Sequence, residues 1–320
     1  MAHPFAPDTH EHVRYSVARH PLERSRLVVA VGTIWIGFVL YLAITLTSLG
    51  GAGLVFPFLL IFVVIGAEWL FHRLRKARLL GQAIKVTPDS FPDIHAEIVE
   101  LRRRLDYHRP VDVYVLDEVK GNIEVTSLLG TRVLLIKGEL AAALQDDGPA
   151  SLRFLLGHYI GWLKARHGQL TLYVVVLDYL RWLSFVLPWM LPYWRCSKYT
   201  CDQFGYLCAE DLHASLGVIA RLVVGADAGP RVPPAGVLEQ AHQVSRRPLS
   251  RYAELFQSEP HLVKRYVNLV AFAGAVMPAD HERFVAGLDE KGRRILRELL
   301  IQSPHRQSPA SRPRPAAHPG

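Results

Sequence analysis

Phe154-Leu155-Leu156-Gly157-His158-Tyr159-Ile160-Gly161-Trp162-Leu163-Lys164-Ala165-Arg166-His167 is the stretch that decides the fold. Pro149 suits the first position of a helix, so the stretch reads as a helix over about Ala150 to His167. Lys164 and Arg166 read as its solvated or headgroup-facing edge. A lone histidine on an apolar helix is ordinarily a hydrogen-bonded core residue, and His158 takes that reading from the residues alone. His167 follows nine residues later, about 180° around a helix. It therefore cannot meet His158 at a single ion.

Upstream, Ile94, Ile98, Leu101 and Leu105 recur at helical spacing, which predicts an amphipathic helix over Pro92 to His108. Val111 to Leu116 alternates as a strand. Asn122 to Ser127 and Thr131 to Ile136 are two more strand candidates, joined by a turn at Leu128-Leu129-Gly130. A short helix over Gly138 to Leu144 and a loop at Asp146 to Pro149 lead into the opening stretch. Downstream, Gln169 to Trp194 is apolar but for Asp178 and Arg181, one helical turn apart. Pro188 and Pro192 are expected to bend or end a helix there. Three readings stay open: a third membrane element, an interfacial helix or a buried helical pair, with membrane contact favoured. Lys198 to Leu222 reads as helix, Gly229 to Pro234 as loop and Leu238 to Leu300 as mostly helix. Ser303 to Gly320 lacks aliphatic residues other than alanine and reads as a disordered tail.

Leu27 to Ala67 contains no Asp, Glu, Lys or Arg. A helix needs about 20 apolar residues to cross a bilayer. The run is long enough for two crossings, read as Leu27 to Ser48 and Leu54 to Phe71, with a break at Gly50-Gly51-Ala52-Gly53. The expectation is a transmembrane helical hairpin over residues 27–72. It begins too late and runs too long for a cleaved signal peptide. Arg14, Arg19, Arg24 and Arg26 precede it; Arg73, Arg75, Lys76 and Arg78 follow it. Basic flanks stay cytoplasmic. The expected protein is thus integral to an inner or plasma membrane, with residues 1–26 and the main domain, 73–302, in the cytoplasm. The net charge of +8 suits contact with anionic lipid. No nucleic-acid-binding module is present in the sequence, so no nucleic-acid partner is expected. Cys196, Cys201 and Cys208 fit neither a disulfide framework nor a zinc finger and read as reduced thiols.

The stretch from Phe154 to His167 resembles the active-site helix of HtpX-like membrane zinc metallopeptidases, relatives of the CaaX prenyl endopeptidases. That family carries His-Glu-Leu-Gly-His in this setting. His158 and Gly161 match, whereas Tyr159 stands at the general-base glutamate and Trp162 at the second histidine. Arg195-Cys196-Ser197-Lys198-Tyr199-Thr200-Cys201-Asp202 resembles the family's Arg-x-x-Glu-Tyr-x-x-Asp segment. Arg195, Tyr199 and Asp202 match, and Lys198 replaces the third zinc ligand. The segment from Gly121 to Ile136 resembles the family's substrate-side edge, and Pro260 to Leu269, with Arg265, resembles a late segment. The resemblance implies a mainly helical α+β, zincin-type domain with a small sheet, carrying the apolar insert at 169–194. It also implies that Asp202 supports the site without binding metal directly.

The substitutions remove the chemistry. In His-Glu-x-x-His the histidines lie on one helix face and the glutamate acts as base on zinc-bound water. A phenol titrates near 10, an indole N–H only donates, and a lysine at Lys198 repels a cation. His158 is the one family ligand retained. Asp202, Cys201 and His213 are the remaining donors for a rebuilt site. Lys198 is expected either to pair with Asp202 or lie over the Trp162 ring, or else to point to water with Trp162 as ordinary core. Three functions compete. The leading one is a non-catalytic, membrane-anchored metallopeptidase-like protein, without a cofactor, that binds a peptide or partner protein through its edge strand. The second is an active zinc endopeptidase with a rearranged site. The third is a structural membrane protein.

Overall fold

A computed structural model describes residues 15–49, 55–117, 123–128, 131–167, 187–255 and 257–301. The expected turns at 50–53 and 129–130, most of the insert at 169–194 and the tail from 303 lie outside these residues. The described chain is mainly helical, with one small mixed sheet.

A short helix α1 (Tyr15–Ala18) leads into the long helix α2 (Glu23–Leu49), followed by α3 (Val55–Gln82). Strand β1 (Ile84–Lys85) precedes α4 (Pro92–Arg104), β2 (Val111–Leu116), β3 (Ile123–Leu128) and β4 (Thr131–Lys137). The sheet order is β1-β2-β4-β3. Strands β2 and β4 run parallel, with Val113 opposite Leu134; β3 runs antiparallel to β4, with Val125 opposite Leu134. Strand β3 therefore forms the sheet's outer edge. All three expected strands are present, whereas β1 is too short to leave a periodic signal.

Helix α5 (Gly138–Asp146) leads to α6 (Pro149–Lys164), the centre of the domain. Phe154, Leu155, Leu156, Ile160 and Leu163 are buried around its whole circumference. A helix apolar on all sides must be covered on all sides. Arg166 adopts a left-handed backbone conformation (φ 56°) and ends the helix before His167.

Helix α7 (Leu187–Ala209) crosses α6 at backbone contact. A Cβ added at Gly161 would lie 2.5 Å from Phe204 Cβ, and one at Gly205 would lie 2.6 Å from the Phe154 carbonyl oxygen. The glycines set the helix separation. Pro192 lies inside α7, so the prolines do not end the helix there. It costs one main-chain hydrogen bond near the helix start, where the neighbouring Met190 and Tyr193 are buried. A second correction concerns Lys198 to Leu222. The helix stops at Ala209, Glu210 takes φ 57°, and Asp211 caps α8 (Leu212–Val224) by accepting from the Ala214 N–H at 2.9 Å. Beyond it come α9 (Pro234–Arg246), α10 (Pro248–Leu255), α11 (Leu262–Val276), α12 (Pro278–Ala286) and α13 (Glu290–Ile301).

The expected hairpin is also corrected. Helix α2 is long and apolar enough to cross a membrane, and only 11% of its apolar window is buried, which fits a membrane anchor or a signal sequence. Among the described residues it is the one helix that meets this test. Its packing partner is α7, while α3 leans on β3. Ala30, the small residue that admits a neighbouring helix, is fully buried against Met190 and Tyr193 of α7. Among the described residues α2 and α3 do not pack on each other as a helix hairpin.

Candidate functional site

His158 projects from α6 and Asp202 from α7, just to one side of the glycine crossing. Both are buried, at 2% and 0% exposure. Nδ1 of His158 lies 3.0 Å from Asp202 Oδ1, at an angle outside that of a hydrogen bond. Arg265 of α11 grips the same carboxylate with two bonds. Its Nε donates to Oδ2 at 2.9 Å and its Nη2 to Oδ1 at 2.7 Å. Such a paired fork is the strongest neutralisation that a protein offers a carboxylate.

The electrostatics follow from this geometry. Burial alone would raise the Asp202 pKa, but the charge and bonds of Arg265, with His158 beside it, hold it down at about 2. Burial lowers the pKa of His158 despite Asp202, so the imidazole is neutral near pH 7. Burial raises Tyr159 above its ordinary range, against the pull of Lys198 and Arg265, and the phenol keeps its proton. The Tyr159 and His158 rings lie 4.7 Å apart. Tyr159 thus cannot serve as a base at neutral pH.

Lys198 reaches Glu259, in the loop before α11, at 2.9 Å. Among the described residues it makes no contact with Asp202 and does not lie over Trp162, which corrects the pairing expected from sequence. The reason is prior occupancy: Arg265 already holds Asp202. Trp162 packs against the main core as a partly buried side chain. Of the other candidate donors, Cys201 is fully buried in α7 and His213 is exposed on α8. Among the described residues no three His, Cys, Asp or Glu side chains converge on one point. The donor set does not fit zinc: among the described residues His158 has only Asp202 beside it, and that carboxylate is held by a guanidinium.

Sequence reading missed a second buried polar group on the opposite side of α7. The segment before α2, expected only as a cytoplasmic leader, is built into the domain. Ala18, His20 and Glu23 are at most 3% exposed. The His20 N–H donates to Thr200 Oγ1 at 3.1 Å, and the Thr200 hydroxyl donates to Glu23 Oε2. Arg19 Nε donates to Glu23 Oε1 at 3.1 Å, and the His20 ring lies 5.1 Å from that of Tyr199. The one signal in the sequence was Thr200 and Tyr199, polar residues a helical step from Asp202 with no assigned partner. His167, just beyond α6, is 1% exposed and stacks on Tyr193 at 6.1 Å. Neither of its ring nitrogens has a hydrogen-bond partner among the described residues. Lys164, expected at a solvated edge, donates instead to the Leu105 carbonyl at the end of α4. Comparison with protein-family models, curated proteins and solved structures finds no match to this chain.

Proposed function

We propose that this chain is a membrane-anchored, metallopeptidase-like protein that does not cleave peptides and instead holds a peptide segment or partner protein at the membrane. The observation that carries this reading is the Arg265 fork on Asp202 beside His158. The fork fixes Asp202 in place and neutralises its charge, which weakens its pull on a cation, and the Lys198 ammonium, paired with Glu259, adds positive charge beside it. Edge strand β3 offers main-chain groups for strand addition, the ordinary route to sequence-tolerant peptide binding.

Helix α2 supplies the anchor in this reading. Its apolar residues Trp35, Ile36 and Val39 are each more than half exposed and suit lipid. Burial of Glu23 and Ala30 against α7 favours a retained anchor over a removed signal. The domain packs on the N-terminal end of α2, and the basic residues Arg19, Arg24 and Arg26 at that end favour the cytoplasmic side for it.

The test is the metal content of purified full-length protein, with casein cleavage measured with and without chelator. The expected result is substoichiometric zinc and no chelator-sensitive cleavage. One zinc per chain with chelator-sensitive cleavage overturns the reading in favour of an active endopeptidase.

A further inference from the structure

Helices α2 and α7 run antiparallel, and their contacts fix a common depth scale. Glu23 meets Thr200, while Ala30 meets Tyr193 and Met190. From Glu23 to Ala30 and from Thr200 back to Tyr193 is in each case seven residues, about 10 Å of helix. Arg195 therefore sits level with the start of the uncharged run at Leu27. Trp189, 63% exposed, lies deeper along the span.

Arg195 is also the link to α10. Its Nη1 donates to the carbonyls of Glu254 at 2.7 Å and Gln257 at 2.8 Å. The C-terminal end of α10 is thus within one arginine side chain of the depth at which the apolar span begins. Helix α10 is two-faced. Glu254 is buried and ion-paired with Lys264, whereas Leu249 is 81% exposed, with Ala253 exposed one turn on. Arg246 and Arg247 immediately precede the helix and are both exposed. An exposed leucine beside paired arginines, on a helix whose C-terminal end lies near that depth, has the composition of an interfacial helix.

We propose that Arg246 to Leu255 lies on the membrane surface, with Leu249 inserted at the headgroup boundary and Arg246 and Arg247 on anionic lipid headgroups. The surface charge of an anionic leaflet attracts such arginines, and the attraction fades within a Debye length. The contact would hold the domain against the bilayer at a second point, away from α2. It rests on the reading that α2 crosses the membrane.

The native cysteines are buried, so a single introduced thiol can be labelled selectively. Full-length protein carrying Leu249→Cys, with an environment-sensitive fluorophore, is placed in nanodiscs of phosphatidylcholine alone or with phosphatidylglycerol. Spin-labelled lipid is the quencher, and Val39→Cys in α2 is the reference. The expected result is strong quenching at position 249 in anionic discs, severalfold less in zwitterionic discs, and loss of the difference in Arg246→Gln/Arg247→Gln. Quenching at 39 without quenching at 249 overturns the proposal and leaves the span intact, including where a blue-shifted emission shows that protein covers Leu249. Quenching at neither position overturns the span and the proposal together. Equal quenching in both lipid mixtures overturns the role given to the arginines.

Discussion

The two sides of α7 make an instructive pair. On one, Asp202 is buried between His158 and Arg265; on the other, Glu23 is buried between Arg19 and Thr200. Both carboxylates are almost fully withdrawn from water, and both are answered from another part of the chain. They differ in the quality of the answer. Asp202 receives a two-bond guanidinium fork from a helix deep in the core. Glu23 accepts from Arg19, four residues back, and from the Thr200 hydroxyl. Buried charge costs several kcal/mol per ion unless it is well paired. The first side is therefore a fixed part of the core, and the second is a clasp between helix α2 and the domain.

Breaking the stronger side should cost the most. Arg265→Met leaves Asp202 buried without its partner and should destabilise the fold by about 3–5 kcal/mol. Thermal unfolding in detergent measures this, and adding Asp202→Asn to the same chain should recover more than half of the loss. A single variant no less stable than wild type would show that the fork is not structural.

Acid should test both sides at once. His158 and His167 have lowered pKa values, the latter at about 3, with burial the first cause in each. A histidine whose folded pKa is depressed contributes stability above its unfolded value, near 6.5, and loses it as pH falls below that. Unfolding temperature should fall from about pH 6.5 downward, with Asp202 adding its loss only below its ordinary value, toward pH 2. His167→Phe should remove part of the slope below pH 6.5 and leave the Asp202 part unchanged.

Glu23→Gln should weaken the clasp by about 1–3 kcal/mol, the usual cost of disturbing a buried hydrogen-bonded group. Hydrogen exchange should then rise in residues 18–23 before it rises around His158. Simultaneous loss would mean that the two sides of α7 are one cooperative unit. The smallest effect belongs to Lys198→Ala. Its partner Glu259 is 65% exposed, so the pair should contribute no more than about 1 kcal/mol.

The sequence was most legible where side chains repeat. Val111 to Leu116 and Thr131 to Ile136 read as strands, though not as the parallel pair they form, and the apolar stretch around His158 reads as the central helix. The motif match marks His158 and Asp202 as parts of one site without naming a contact between them. It does not reveal the partner of Asp202, because Arg265 lies 63 residues away and no local spacing connects them. Local spacing leaves Lys198 open between Asp202, the Trp162 ring and water; the competing, better-shaped guanidinium is invisible at that range. The N-terminal clasp was missed for the same reason: Glu23 and Thr200 are 177 positions apart. The insert at 169–194 and the tail from 303 lie outside the described residues.

Gly157, Gly161 and Gly205 bring α6 and α7 to backbone contact, and His158 and Asp202 lie within a turn of that crossing. Absent side chains thus act as a calliper. The gap between histidine and carboxylate is dictated by hydrogen atoms on three α-carbons, whatever occupies the space between the polar groups. Mutation can exchange the chemistry of this chain at Tyr159, Trp162 and Lys198 while the jaws stay at the same setting. A methyl group at Gly161 would force them apart even with every polar residue in place.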